Sequence, residues 1–117
     1  MLVSDHNPID IENKNVEFEN GYYGTIGMET LFGSARQKLE LEEVISCLTD
    51  KPRKCFDLPA SVIEKNAKAD LTLFDPDIEY VFEKNDILSK SKNSAFLGKN
   101  MKGKSLGIIS NNKLALS

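Results

Sequence analysis

The sequence predicts an α/β chain with an opening strand, three helices and a small terminal sheet, and three observations carry this reading. Apolar residues recur at steps of three and four between Met28 and Leu48, the period of helices with one buried stripe. From Ala69 the pattern changes to alternation, with Leu71 and Leu73 on one side and Thr72 and Phe74 on the other, as in a half-buried strand. Leu2-Val3 is a short apolar run that ends in Asp5-His6 and is stopped by Pro8, the profile of a strand that carries polar residues to its carboxyl end.

After Pro8, Ile9 to Asn20 is polar and acidic, with apolar spacings that fit neither a long helix nor a clean strand; it reads as an ordered loop. Gly21-Tyr22-Tyr23-Gly24-Thr25-Ile26-Gly27 follows, and glycines this dense imply tight turns or a backbone close to something else. Met28, Leu31, Phe32 and Ala35 predict a helix running to Lys38. Leu41, Val44, Ile45 and Leu48 predict a second, whose first turn carries Glu40, Glu42 and Glu43 against the positive end of the helix dipole. A short turn of helix is expected over 52–56, because proline is tolerated where its missing N–H has no partner. Beyond it come a strand ending in a Pro76 turn, a second at Tyr80-Val81-Phe82, and a hairpin of 105–110 with 114–116. Asn111-Asn112 suits that turn, since asparagine tolerates positive φ. Leu71, Leu73, Phe74, Leu106, Ile108 and Ile109 are expected to supply much of the sheet's buried surface.

The chain has 117 residues, 40% of them hydrophobic and 28% charged, which suits one modest globular domain. No segment approaches the apolar length of a membrane span, and no basic stretch followed by an apolar one opens the chain; the expected address is the cytoplasm. Cys47 and Cys55 are the only cysteines and are expected to be reduced and buried. Residues 84–104 hold six lysines against one acid. Without arginine and with few interleaved aromatics, this cluster reads as a solvated or subunit-contacting face and not as a nucleic-acid site.

Asp5 is the first candidate for chemistry. At the carboxyl end of a β/α-barrel strand a side chain points into the active site, and a carboxylate there can ligate a metal or take a proton from water. The alternative role is an Asx turn before Pro8. His6, the only histidine, is a candidate ligand or acid, or a hydrogen-bonded turn residue. Backbone around Thr25, Ile26 and Gly27 is a candidate ligand contact. The glycine loop has no Gly-x-Gly-x-x-Gly and no Walker lysine, so phosphate cradling is not supported, and no serine or cysteine has a histidine and acid at nucleophile spacing.

Taken in order, Ser4-Asp5-His6-Asn7-Pro8, Tyr23-Gly24-Thr25-Ile26-Gly27-Met28-Glu29-Thr30, Leu48-Thr49-Asp50-Lys51-Pro52-Arg53-Lys54 and Ala67-Lys68-Ala69-Asp70-Leu71-Thr72-Leu73-Phe74-Asp75-Pro76 resemble the C-terminal third of dihydroorotases, cyclic amidohydrolases of the amidohydrolase superfamily. Ser89-Lys90-Ser91-Lys92-Asn93-Ser94-Ala95-Phe96-Leu97-Gly98 and Gly103-Lys104 to Leu116 are similar to the same family. The resemblance implies that residues 1–58 are the C-terminal end of a metal-dependent-hydrolase TIM barrel, with its last strand, an active-site loop and helices, and that 59–117 are part of a flanking β-sandwich. It implies that Asp5 ligates zinc and shuttles the proton as N-carbamoyl-L-aspartate is reversibly cyclised to dihydroorotate in pyrimidine biosynthesis, and that Thr25, Ile26 and Gly27 bind substrate.

Two departures qualify what the resemblance carries over. Many dihydroorotases read Asp-His-Ala-Pro-His at this place, the last histidine helping to hold the substrate carboxylate, whereas this chain has Ile9. The family's His-x-His pair, lysine and further histidines have no counterpart in these residues, so zinc is expected in a full-length parent, and neither zinc nor activity in the isolated chain. Partners implied by the resemblance are the small-molecule substrate, a second copy and aspartate carbamoyltransferase, with no nucleic acid and no membrane. Ile9 also motivates a second reading, a non-catalytic dihydroorotase-like structural subunit. Hydantoinase- or allantoinase-type specificity, or a free-standing interaction module, are the further alternatives.

Overall fold

A computed structural model describes residues 1–60 and 62–116; Ser61 and Ser117, both in the expected sheet portion, lie outside the described residues. The order of elements is α1 (Leu31–Arg36), α2 (Leu41–Leu48), α3 (Asp50–Cys55), β1 (Leu71–Val81), β2 (Asn100–Ser110) and β3 (Lys113–Leu116). The strands form an antiparallel sheet in the order β1-β2-β3. The described residues thus form a small α/β unit with three short α-helices and a three-stranded sheet. Among the described residues no helix is long and apolar enough to cross a membrane.

Residues 2–5 do not form the expected strand. A parallel strand needs a neighbour on each side to take its amides and carbonyls, and here the segment is held by scattered bonds. The Leu2 amide donates to the Cys47 carbonyl at 3.1 Å and the Asn7 amide to the Thr25 carbonyl at 2.9 Å. Asp5 itself, at φ 45°, breaks the extended run. The loop after Pro8 contains two single 3-10 turns, Ile11–Asn13 and Phe18–Asn20.

α1 is shorter than its apolar period suggested, because Met28 to Thr30 form a turn before it, and Met28 is exposed rather than part of a buried stripe. Its fully buried residue is Gly33, which lies against Met101 and Tyr80, while Phe32 stacks edge-on against Phe74 of β1 with ring centroids 5.1 Å apart. α2 follows its period closely. Val44 is wholly buried, Cys47 beside it is buried too, and both cysteines are free thiols; Cys55, the last residue of α3, is exposed and not buried as expected.

Pro76 does not end β1. The strand runs on through Tyr80 and Val81, joining the two expected strands into one. Asp75 pairs with Lys104 and Glu79 with Lys102, so four residues of β1 advance against two of β2. That surplus is a bulge, and on an edge strand such as β1 it lets a residue without an N–H fit without breaking the ladder. The β2–β3 hairpin forms as expected, with Asn111 and Asn112 at φ 50° and 58°.

The core is not where alternation put it. Leu73, Leu106 and Ile108 are exposed, and Leu71, Phe74 and Ile109 only half-buried. The pairing sets Leu71, Ile109 and Leu114 across one face, with Leu73, Gly107 and Leu116 beside them. The buried cluster is instead Ile26, Phe82, Ile87 and Met101, each no more than 4% exposed, with Tyr80, Phe96 and Leu97 packed around it. From the lysine cluster, Lys104 bonds Asp86 at 3.5 Å and lies 5.0 Å from the Tyr80 ring centre, bracing this core from outside.

With so few buried side chains, each counts. Phe82→Ala is expected to lower the unfolding free energy by about 3–5 kcal/mol, whereas Leu114→Ser on the open sheet face changes it by no more than about 0.5 kcal/mol. Urea titration followed by circular dichroism measures both. Equal effects would place the core on the sheet face after all.

Candidate functional site

Asp5 and the Thr25–Gly27 loop, twenty residues apart in sequence, lie side by side. The Asn7 amide donates to the Thr25 carbonyl at 2.9 Å, and Nδ1 of His6 accepts from the amides of both Gly27 and Met28, each at 3.3 Å. The close approach explains Gly27: a Cβ there would stand 2.4 Å from the Ser4 carbonyl oxygen, a distance no side chain tolerates. His6 is therefore a structural clasp between the segment carrying Asp5 and the loop.

Asp5 is exposed, with its backbone in the left-handed region that an aspartate adopts at modest cost. The carboxylate thus sits on a tight bend directly before the histidine clasp. Thr25 is half-buried, and Ile26 and Gly27 are buried. Their polar groups are largely committed within the chain: the Ile26 amide donates to the Asn93 carbonyl at 2.9 Å, and the Thr25 hydroxyl lies 3.2 Å from the same oxygen. Among the described residues no group of three or more histidine, cysteine, aspartate or glutamate side chains is placed to hold a metal ion. Asp5 and His6 alone do not make a metal centre, and with its Nδ1 engaged by two amides His6 is oriented by the fold.

Ile9 is half-buried, and its Cγ1 would lie 2.5 Å from a Cβ on Gly24. It packs where Gly24, at φ 142°, leaves the room. A cavity of about 680 Å³ opens beside it, lined by Ile9, Asp10, Glu12, Lys84, Lys90 and Asn93 among others, so several of the lysines expected to be solvated flank the site's outer wall.

Glu29, absent from the candidate residues read from the sequence, anchors the loop's far end. Its Oε1 accepts from the Ser89 amide at 2.9 Å and from the Ser89 hydroxyl, and its Oε2 is buried with no partner among the described residues. Burial pushes the carboxyl up, but the bonds from the Ser89 hydroxyl and from backbone donors outweigh it and hold the group below the usual carboxylate range. The signal available in the sequence was its place one turn before α1 beside the glycine loop; its partner Ser89, sixty residues on, carried none.

A carboxyl depressed in the folded state stabilises the fold above its unfolded pKa and loses that contribution as pH falls through its folded value. Wild-type protein is therefore expected to be more stable than Glu29→Gln above about pH 5, with the difference shrinking to nothing in stronger acid. Thermal melts from neutral to acid pH read this directly. A difference that is constant with pH would show that the Glu29 contact is not ionic.

No family model matches the chain, but curated proteins do. It is 33% identical over 121 residues to a dihydroorotase of Chlorobaculum tepidum, a match covering 98% of this chain and 28% of that protein. It is 31% identical to one from Wolbachia of Brugia malayi, over 99% of this chain and 27% of the relative, and 32% identical to one from Clostridium acetobutylicum, over 97% and 28%. The chain thus spans little more than a quarter of the length of the curated relatives it matches. Nearly every residue of the chain, including the Asp5 segment, the glycine loop and the sheet, is accounted for by this likeness, and the chain belongs to the dihydroorotase family as the counterpart of its C-terminal portion.

Proposed function

We propose that this chain is the C-terminal part of a cyclic amidohydrolase that opens and closes dihydroorotate, with residues 1–58 contributing to the active-site end of a barrel and 59–117 to a flanking sheet. The observation that carries the reading is the meeting of Asp5 with the Thr25–Gly27 loop through His6, within a chain that matches dihydroorotases along nearly its full length.

In this reading Asp5 handles the proton. Ring opening adds water to the cyclic amide carbonyl and breaks its C–N bond, so one proton must leave the water and reach the departing nitrogen. An exposed carboxylate on a fixed bend can accept and return it. Ring closure runs the same transfers backwards. The Thr25–Gly27 loop, clasped by His6 and half-closed by Ile9, orients the substrate beside Asp5. The zinc that the resemblance implies would take its other ligands from residues outside these 117, because the described residues do not form a metal site.

Ile9 supports a second reading. An isoleucine cannot donate to a carboxylate, and its side chain packs against Gly24, so a non-catalytic structural subunit of the same family, one that seats aspartate carbamoyltransferase or a second copy, is the alternative.

A chimera in which this chain replaces the matching C-terminal residues of the Chlorobaculum dihydroorotase separates the two. The first reading expects dihydroorotate turnover that Asp5→Asn lowers by at least about a hundredfold, as for loss of a general base. Turnover indifferent to Asp5→Asn would remove Asp5 from the chemistry. A folded, inactive chimera in which Ile9→His restores turnover would favour the structural subunit, and hydantoin or allantoin turned over in preference to dihydroorotate would change the substrate class. For the 117-residue chain alone, neither stoichiometric zinc nor turnover is expected, since a zinc site takes four ligands or three and a water; metal analysis after dialysis against zinc checks it.

A further inference from the structure

The stretch from Ser89 to Gly98, similar in sequence to the family yet without any assigned role, converges on the candidate loop. The Asn93 carbonyl accepts from the Ile26 amide at 2.9 Å and the Thr25 hydroxyl at 3.2 Å. Its side-chain Nδ2 donates to the Gly24 carbonyl at 2.8 Å. Its own amide lies 3.3 Å from the Ser91 hydroxyl, which donates to the Ile9 carbonyl at 2.8 Å. Two residues on, the Ala95 amide donates to the Thr25 hydroxyl at 3.1 Å. One asparagine thus bonds three consecutive loop residues, while its neighbours Ala95 and Ser91 bond Thr25 again and Ile9.

We infer that Asn93 is a positioning residue for the substrate loop, selecting one orientation of the peptide between Gly24 and Thr25. The inference rests on the reading of Thr25–Gly27 as substrate contacts. Gly24 has φ 142°, a region open to glycine and closed to most residues, where the peptide on its carboxyl side turns over at little cost. The peptide unit is planar, with its C=O and N–H pointing opposite ways. A donor held on the Gly24 oxygen therefore also fixes the direction of the Thr25 N–H. The carbonyl bond to Ile26 places the loop, and the side-chain bond to Gly24 decides which way its peptide faces.

The two contributions separate by mutation, because every substitution keeps the backbone carbonyl. Asn93→Asp removes the donor with little change of shape, Asn93→Ala removes the side chain, and Asn93→Gln keeps an amide on a longer stem. In the 117-residue chain, amide hydrogen exchange is expected to quicken about tenfold at Thr25, Ile26 and Gly27 in the first two variants, the scale of one net hydrogen bond. Amides of β1 and β2 should stay within about twofold, which reports that the fold is intact. Unchanged loop exchange, or parallel acceleration throughout the chain, would overturn the inference.

In the Chlorobaculum chimera, KM for dihydroorotate is expected to rise about tenfold in Asn93→Asp with kcat within about threefold, and Asn93→Gln to recover part of the loss. An active chimera whose KM ignores Asn93 would remove the substrate-positioning role and leave the proposed function standing. An inactive wild-type chimera, with loop exchange still governed by Asn93, would count against the proposed function and leave the loop-ordering role in place.

Discussion

Ile26 joins the two halves of this molecule. Its side chain fills the core beside Phe82, Ile87 and Met101, while its amide is bonded to the carbonyl of Asn93. Apolar burial of one residue and satisfaction of its backbone are thus supplied by the same distant stretch, 82–101. The glycine loop is anchored because its central residue cannot leave the core without also orphaning a buried N–H, a loss on the order of 1–3 kcal/mol in addition to the apolar term. From that fixed point the His6 clasp carries the Asp5 segment, and Glu29 ties the start of α1 to Ser89.

Local features of the sequence were legible where local physics decides them. Asn111-Asn112 makes the hairpin because both residues accept positive φ, and α2 forms where four apolar residues share one face above an acidic first turn. What needed distant partners was not legible. Alternation over 69–76 located a strand but not which of its faces would be covered, and the true core draws Phe82, Ile87 and Met101 from segments with no clear period. Pro76 reads locally as a stop; only pairing with β2 reveals that a bulge absorbs it. The apolar run at residues 2–5 has the composition of a strand, but composition supplies no neighbours.

The candidate site shows the same division. Asp5 and Thr25–Gly27 were visible as residue types in telling places, and the fold brings them together through backbone bonds that no spacing rule contains. Asn93 and Glu29 escaped because a polar residue in a lysine-rich stretch, or in the first turn of a helix, looks like ordinary surface. Their importance lies in what they bond across sixty or more residues. Ile9 is the reverse case: conspicuous in sequence as a departure from the family, it is quiet in the structure, fitted against Gly24, a loop residue with no side chain.

The bulge at Pro76 also bears on how the sheet keeps to itself. β1 is an outer strand, hydrogen-bonded on one side only, and such edges recruit strands from other chains. At its middle, Pro76 has no N–H to offer, and the Asp77 amide is already taken by the Asp75 carboxylate at 2.9 Å. Two consecutive residues are thereby closed to an incoming strand, and Asp75 and Asp77 add two acidic side chains to the same short stretch. β3, at the opposite edge, has no such guard: four residues long, exposed throughout and carrying Leu114 and Leu116, it is the side from which uncontrolled strand addition and aggregation of the free chain would begin.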